Sequence, residues 1–197
     1  MNYLAHIFLS GDDVQIQIGN FIGDFVKGNQ PDNYPERIRK GILMHRRIDH
    51  FTDHHRVVKE TKALLRPVFG RYSGIITDMY FDYLLAVSFS EYSPDRSLSK
   101  LARRFNFHVL LNYYRLPQRV QRFIFHFTSS NRLVRYATIE GLHESLSIMS
   151  RYKTAAINPD LSIRFLMENR KELENKFHQF FPELIAYAEE LRNSDNI

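Results

Sequence analysis

Residues 72–92 read YSGIITDMYFDYLLAVSFSEY. Apolar side chains fall on every side of a helix drawn through this stretch, which predicts a helix buried through the middle of the protein. Other helices must then surround it, and the remaining sequence supplies them. Eight Gly and seven Pro are few for 197 residues, and no long Val/Ile/Thr alternation occurs, so the chain reads as all-α. Working outward, caps and breaks predict a short helix over residues 2–9, with Asn2 as its cap, and one over 13–27 after the Ser10-Gly11-Asp12 break, with Asp12 as its cap. A loop over 28–35 leads to a helix over 36–51. Thr52 or Asp53 then caps a helix that stops at Arg66 before Pro67. Beyond Ser93-Pro94-Asp95, helices are expected over 97–114, 117–127, 131–136, 139–152 and 159–191, the last bent or interrupted near Pro182. Without a repeat, a low-complexity tract or a linker, residues 1–197 read as one irregular helical bundle.

Composition narrows the chemistry. No Cys is present, so disulfides, thiolate metal sites and a cysteine nucleophile are excluded, and a reducing, cytoplasmic setting fits. No window approaches 18 uncharged apolar residues, so no membrane span is expected. The opening MNYLAHIFLSGDD lacks a basic n-region and a small-residue cleavage site, and reads as mature protein. There is no GxxxxGK[ST] loop, no GxGxxG after a strand, no GxSxG elbow and no HExxH. The net charge of +5 is unevenly placed: Arg96 to Arg151 holds ten basic residues against two acidic ones, while the rest holds 17 against 20. Such a segment suits an anionic partner, although solvated helix faces would leave the same pattern. No helix-turn-helix or aromatic-interleaved basic motif points to nucleic acid.

Polar residues in apolar surroundings mark the candidate site. In GILMHRRIDHFTD (41–53), with Ile38 at zero on a 100° wheel, His45 falls at about 340° and Asp49 at about 20°, one turn apart on the inward face. Burying a carboxylate alone costs several kcal/mol, so Asp49 needs a partner, and His45 could be that partner by itself. Asp78 and Asp82 repeat the anomaly on the buried helix. Like charges there repel unless one is protonated or a cation lies between them; Arg from another helix would serve, and a divalent metal is more economical. His6 in LAHIFL and Asp24 in GNFIGDFVKG are further polar residues in apolar stretches. Gly19 and Gly23 would let a backbone or ligand approach Asn20 and Asp24. Together these residues offer two imidazoles and four carboxylates. The carboxylate-rich set leans towards Mn2+ or Mg2+, which would polarise a phosphoryl oxygen and activate water. Arg46, beside His45, could reach a phosphate oxygen.

MNYLAH, GNFIGDFVKG, GILMHRRIDHFTD and TDMYFDYLLA, in that order, resemble the acyl carrier protein phosphodiesterase family, as do residues 136–152 and the closing FHQFFPEL. The resemblance implies a helical fold related to HD-domain metal-dependent phosphohydrolases. It also implies hydrolysis of the phosphodiester joining 4′-phosphopantetheine to a serine of holo acyl carrier protein, with manganese or magnesium as cofactor. The family's motif residues fall on His6, Asp24, His45 and Asp49. Relatives often carry Asp-His at Asp82-Tyr83, and Trp at Arg132. The expected site has His6, Asp24, His45, Asp49 and Asp78 around metal, Asp82 orienting water or shuttling its proton, and Arg46 stabilising charge. The segment from Arg96 to Arg151 is expected to steer the acidic carrier protein. A phosphohydrolase of a nucleotide or other small phosphoester, and a non-catalytic helical module that binds an anion, remain alternatives.

Overall fold

The structure, a computed structural model, describes residues 1–152 and 157–194. Among the described residues there is no strand. The helices are α1 (Tyr3–Leu9), α2 (Val14–Ile22), α3 (Glu36–His54), α4 (Arg56–Phe69), α5 (Ser73–Val87) and α6 (Phe89–Tyr92). They continue as α7 (Leu98–Leu111), α8 (Gln118–Ser129), α9 (Arg132–Arg135), α10 (Ile139–Tyr152), α11 (Pro159–Glu168) and α12 (Arg170–Asn193).

The all-round apolar character of residues 72–92 translates into position. Every residue from Met79 to Ala86 is buried, and α5 touches α1, α4, α10 and α12. Tyr80 and Phe81 are fully enclosed, and burying each such side chain contributes about 1.5–3 kcal/mol. Phe81 stacks on Phe180 and meets Phe177 edge-on, which fixes α12 across α5. The long helix predicted here ends at Val87. Ser88 turns its hydroxyl back to the Leu84 carbonyl at 2.7 Å, and α6 adds one separate turn.

Several boundaries differ from the sequence reading. The helix expected over 13–27 ends at Ile22 and passes into a 3-10 turn, Gly23–Phe25, while Asp13 rather than Asp12 caps it through the amides of Gln15 and Ile16. α3 runs past Thr52 and Asp53 to His54. The α4 cap is His55, whose Nδ1 accepts from the Val57 amide, because Thr52 is buried and cannot turn outward. Pro67 lies inside α4, which runs past the expected stop at Arg66 and ends at Phe69. Pro182 likewise lies inside an unbroken α12; the interruption falls at Asn169, whose side chain caps the Phe165 carbonyl at 2.9 Å.

α2 and α3 make the most extensive helix pair. Gly19 and Gly41 bring the two backbones together: a Cβ on Gly19 would lie 2.0 Å from the Ile38 carbonyl oxygen, and one on Gly41 2.3 Å from that of Ile16. This approach carries α3 side chains over the backbone of Asn20.

Candidate metal centre

His6 on α1, and His45 and Asp49 on α3, place one donor atom each within 4.8 Å of one another. His6 Nε2 lies 3.3 Å from Asp49 Oδ1, and His45 Nε2 lies 3.1 Å from Asp49 Oδ2. The two imidazoles stack with centroids 4.0 Å apart. The remaining nitrogen of each ring is held by a single residue of α2. Asn20 donates its amide to the His6 carbonyl and to Ser10 Oγ, each at 3.0 Å, so its Oδ1 is an acceptor and takes the His6 Nδ1–H at 2.7 Å. The Asn20 backbone carbonyl takes the His45 Nδ1–H at 2.8 Å. Both Nδ1 atoms are therefore donors, so each Nε2 is turned towards Asp49 and, when its ring is neutral, presents its lone pair there. Both Nε2 atoms are buried without a hydrogen-bond partner among the described residues, since their contacts with Asp49 have ion-pair distances but not hydrogen-bond directions. Buried imidazole nitrogens are normally satisfied, so this pair of unpartnered donors beside a carboxylate fits a bound cation. Gly23 makes room for the His45 ring, as a Cβ there would lie 2.3 Å from His45 Cγ.

The electrostatics follow from the packing. Burial and the neighbouring His45 pull the His6 pKa down to about 4, so its ring is neutral. Burial pulls on His45 too, but Asp24 and Asp49 outweigh it and push His45 up to about 9. Burial would raise Asp49, yet His45 and His6 hold its carboxyl well below the usual range.

The other expected residues take different places. Asp24, in the exposed 3-10 turn, lies 3.4 Å from His45 Nε2, at the edge of the cluster. Asp78 faces the Met1 amino group at 3.2 Å, and that group is also 3.8 Å from Asp49. Asp82 does not reach the cluster through solvent. It is fully buried and accepts the Leu4 and Ala5 amides at 2.8 and 3.2 Å, closing the start of the helix that carries His6. Asn2, the expected cap, turns instead to Met79 Sδ. Among the described residues no Arg pairs with Asp78 or Asp82; the Met1 amine pairs with Asp78 and acts on Asp82 at longer range, and backbone amides bind Asp82 directly. Arg46 donates to the carbonyls of Val26 and Gly28 at 3.1 and 2.9 Å, holding the loop behind Asp24 rather than offering a free guanidinium. Gly41 and the Met1 amine were not singled out by sequence, and Asn20 was named only as a point that a backbone or ligand could approach. Asn20 had a signal, since it is a polar residue between two glycines of an apolar helix and a buried histidine requires an acceptor.

Residues 1–184, which include every member of this cluster, match the family described as acyl carrier protein phosphodiesterase. The chain belongs to that family. A Yersinia pestis acyl carrier protein phosphodiesterase is 31% identical over 191 residues, covering 96% of this chain and 98% of the relative. One from Klebsiella pneumoniae (strain 342) is 31% identical over 189 residues with the same coverage. One from Photorhabdus laumondii is 28% identical over 189 residues, covering 96% of each. No solved structure gives a significant match.

For an acyl carrier protein phosphodiesterase, surface charge bears on docking. In the basic segment, Arg96 and Arg104 bind Asp12, and Arg132 and Arg135 bind Glu144. Four of its ten cations therefore share two carboxylates, and two positive charges are locally cancelled. Arg132 is buried and also reaches Ser145, which explains how a cation is accommodated inside the fold. Among the described residues, no helix is long and apolar enough to cross a membrane.

Proposed function

We propose that the protein hydrolyses the phosphodiester linking 4′-phosphopantetheine to a serine of holo acyl carrier protein, with a divalent cation held by His6, His45 and Asp49. The observation that carries the site is the pair of buried, unpartnered Nε2 atoms that Asn20 directs at Asp49. The family supports the reaction and the carrier protein as substrate. Of the two metals favoured by sequence, two imidazoles with one carboxylate favour Mn2+ over Mg2+, which prefers oxygen ligands. When bound, such an ion polarises a phosphoryl oxygen and lowers the pKa of water.

The chain's own residues build the site around that chemistry. Asn20 fixes both histidine tautomers and removes their freedom to rotate. Asp82, by accepting two α1 amides, sets the position of His6 and is a positioning residue. Asp24, open to solvent beside His45, is placed to orient the attacking water, the role that sequence gave to Asp82. Arg46 anchors the loop after Asp24 and so fixes that carboxylate. The unpaired cations of the basic segment supply a long-range field for an acidic carrier. A relation to the HD-domain phosphohydrolases and a cytoplasmic location belong to the same reading.

The test combines elemental analysis of the purified protein with mass spectrometry of holo carrier protein after incubation. Conversion to the apo form is expected with manganese, and is expected to vanish after chelation or in Asp49→Ala. Full turnover by metal-free protein would end the proposal.

A further inference from the structure

An open cavity of about 530 Å³ lies between α4 and the start of α5. Lys59, Lys62, Arg66, Arg71, Ser73 and Gly74 line it, and no acidic residue does. Lys62 ties it to the metal centre. Its Nζ lies 2.7 Å from Asp53 Oδ1, and its Cε lies 3.7 Å from where a Cβ on Gly74 would stand. Asp53 is one turn beyond Asp49 on α3, and Gly74 is one turn before Asp78 on α5. Four residues of helix span about 6 Å, so Lys62, in the wall of the cavity, touches each helix about one turn along from one of the two carboxylates. Among the described residues, Lys59 and Arg66 have no ion-pair partner. Arg71 is held by the Tyr72 hydroxyl at 2.6 Å and lies over the Tyr72 ring.

Four cations with one carboxylate among them need an anionic complement. Beyond its phosphate, the pantetheine arm is a neutral chain of amides ending in a thiol, and offers none. The carrier protein does, because it is acidic, and its serine is bonded directly to the phosphorus. Its surface must therefore come close to the His6–His45–Asp49 cluster, and this cavity is tied to the helix that carries His45 and Asp49 through the Lys62–Asp53 pair. We propose that the cavity is the contact site for the acidic surface of acyl carrier protein, an assignment that rests on the function proposed above. The segment from Arg96 to Arg151 then acts at long range, and α4 makes the contact.

Two charge-reversed pairs that change net charge equally separate contact from field: Lys59→Glu with Arg66→Glu on α4, and Arg103→Glu with Arg119→Glu on α7 and α8. Holo carrier protein is titrated against each manganese-loaded protein by calorimetry, and KM is measured by mass spectrometry, with helix content and bound metal as controls. The α4 pair is expected to weaken Kd and raise KM at least tenfold more than the α7–α8 pair. Equal effects, or a larger effect of the α7–α8 pair, in an enzyme that still turns over would overturn the docking site and leave the function standing. Binding that is lost only in the α4 pair, with no hydrolysis by any protein, would keep the docking site and overturn the function. A wild-type protein that neither binds nor hydrolyses the carrier would remove both.

Discussion

Replacing Asn20 by Ala removes the acceptor of the His6 Nδ1–H and leaves the His45 bond intact, since that bond ends on the Asn20 backbone. The loss is confined in a second way. Ser10 Oγ still donates to the His6 carbonyl at 2.7 Å, so the one group left without a partner is His6 Nδ1. An unsatisfied buried donor costs about 1–3 kcal/mol. For a chain of this size that is a fall in Tm of about 2–12 °C. Freeing a metal-binding imidazole from its orienting partner costs about 10–100-fold in affinity, equivalent to about 1.4–2.7 kcal/mol. Manganese titration of Asn20→Ala should show that loss in a protein of unchanged helix content. A double-mutant cycle sharpens the test. On a His6→Ala background the Asn20 substitution should cost no further affinity, while on a His45→Ala background its full cost should persist. An Asn20→Ala protein that binds manganese within twofold of wild type, or that loses equally on both backgrounds, would refute the tautomer argument.

Three further outcomes follow from the geometry. Asp82→Ala should lower thermal stability by about 1–3 kcal/mol by stripping two amides of α1 of their acceptor, whereas Asp82→Asn should retain the pH–rate profile; a lost limb in that profile would return the proton to Asp82. Gly23→Ala should remain helical but lose metal, because its Cβ would lie 2.3 Å from His45 Cγ; Gly41→Ala should fail to fold, because the obstacle is the Ile16 carbonyl, which belongs to a packed backbone. In metal-free protein, His45 has its pKa raised from 6.5 to about 9, so its proton stabilises the fold fully below pH 6.5 and is lost as pH rises through 9. The urea midpoint should therefore fall between pH 6.5 and 9.5, by less in Asp24→Asn, and manganese binding at pH 7 should release a proton; a flat profile would contradict the pairing of His45 with Asp24 and Asp49.

The buried helix was legible because its signal is one-dimensional: apolar side chains all round the wheel leave no face for water, and residues 79–86 are all enclosed. His45 and Asp49 were legible for a related reason, being four residues apart on the inward face of one helix. Asp78 and Asp82 met the same rule and do share a side of α5, but one turn of rise brings one carboxylate to the chain's amino group and the other to the amides of Leu4 and Ala5 at the start of α1. Period alone carries no information about which neighbour lies on which side. The boundaries misread at Thr52, Pro67 and Pro182 share a cause. Local cap and breaker chemistry is worth about 1–3 kcal/mol, and burial of Thr52 or the packing of α12 on α3, α4 and α5 exceeds it.

The cluster's least visible component is also its organising one. His6 and His45 come from helices separated by α2, and what aligns them is that Asn20 presents two acceptors, a side-chain oxygen to one ring and a main-chain oxygen to the other. Those acceptors are rigidly related, so any shift of α2 moves both rings together, and the stack at 4.0 Å is preserved only if α2 keeps its register on α3. Gly19 and Gly41 set that register through contacts that no side chain would permit. The glycines thus act on the chemistry through Asn20, and the apolar helix pair that gives α2 and α3 their stability also determines where two imidazole lone pairs point.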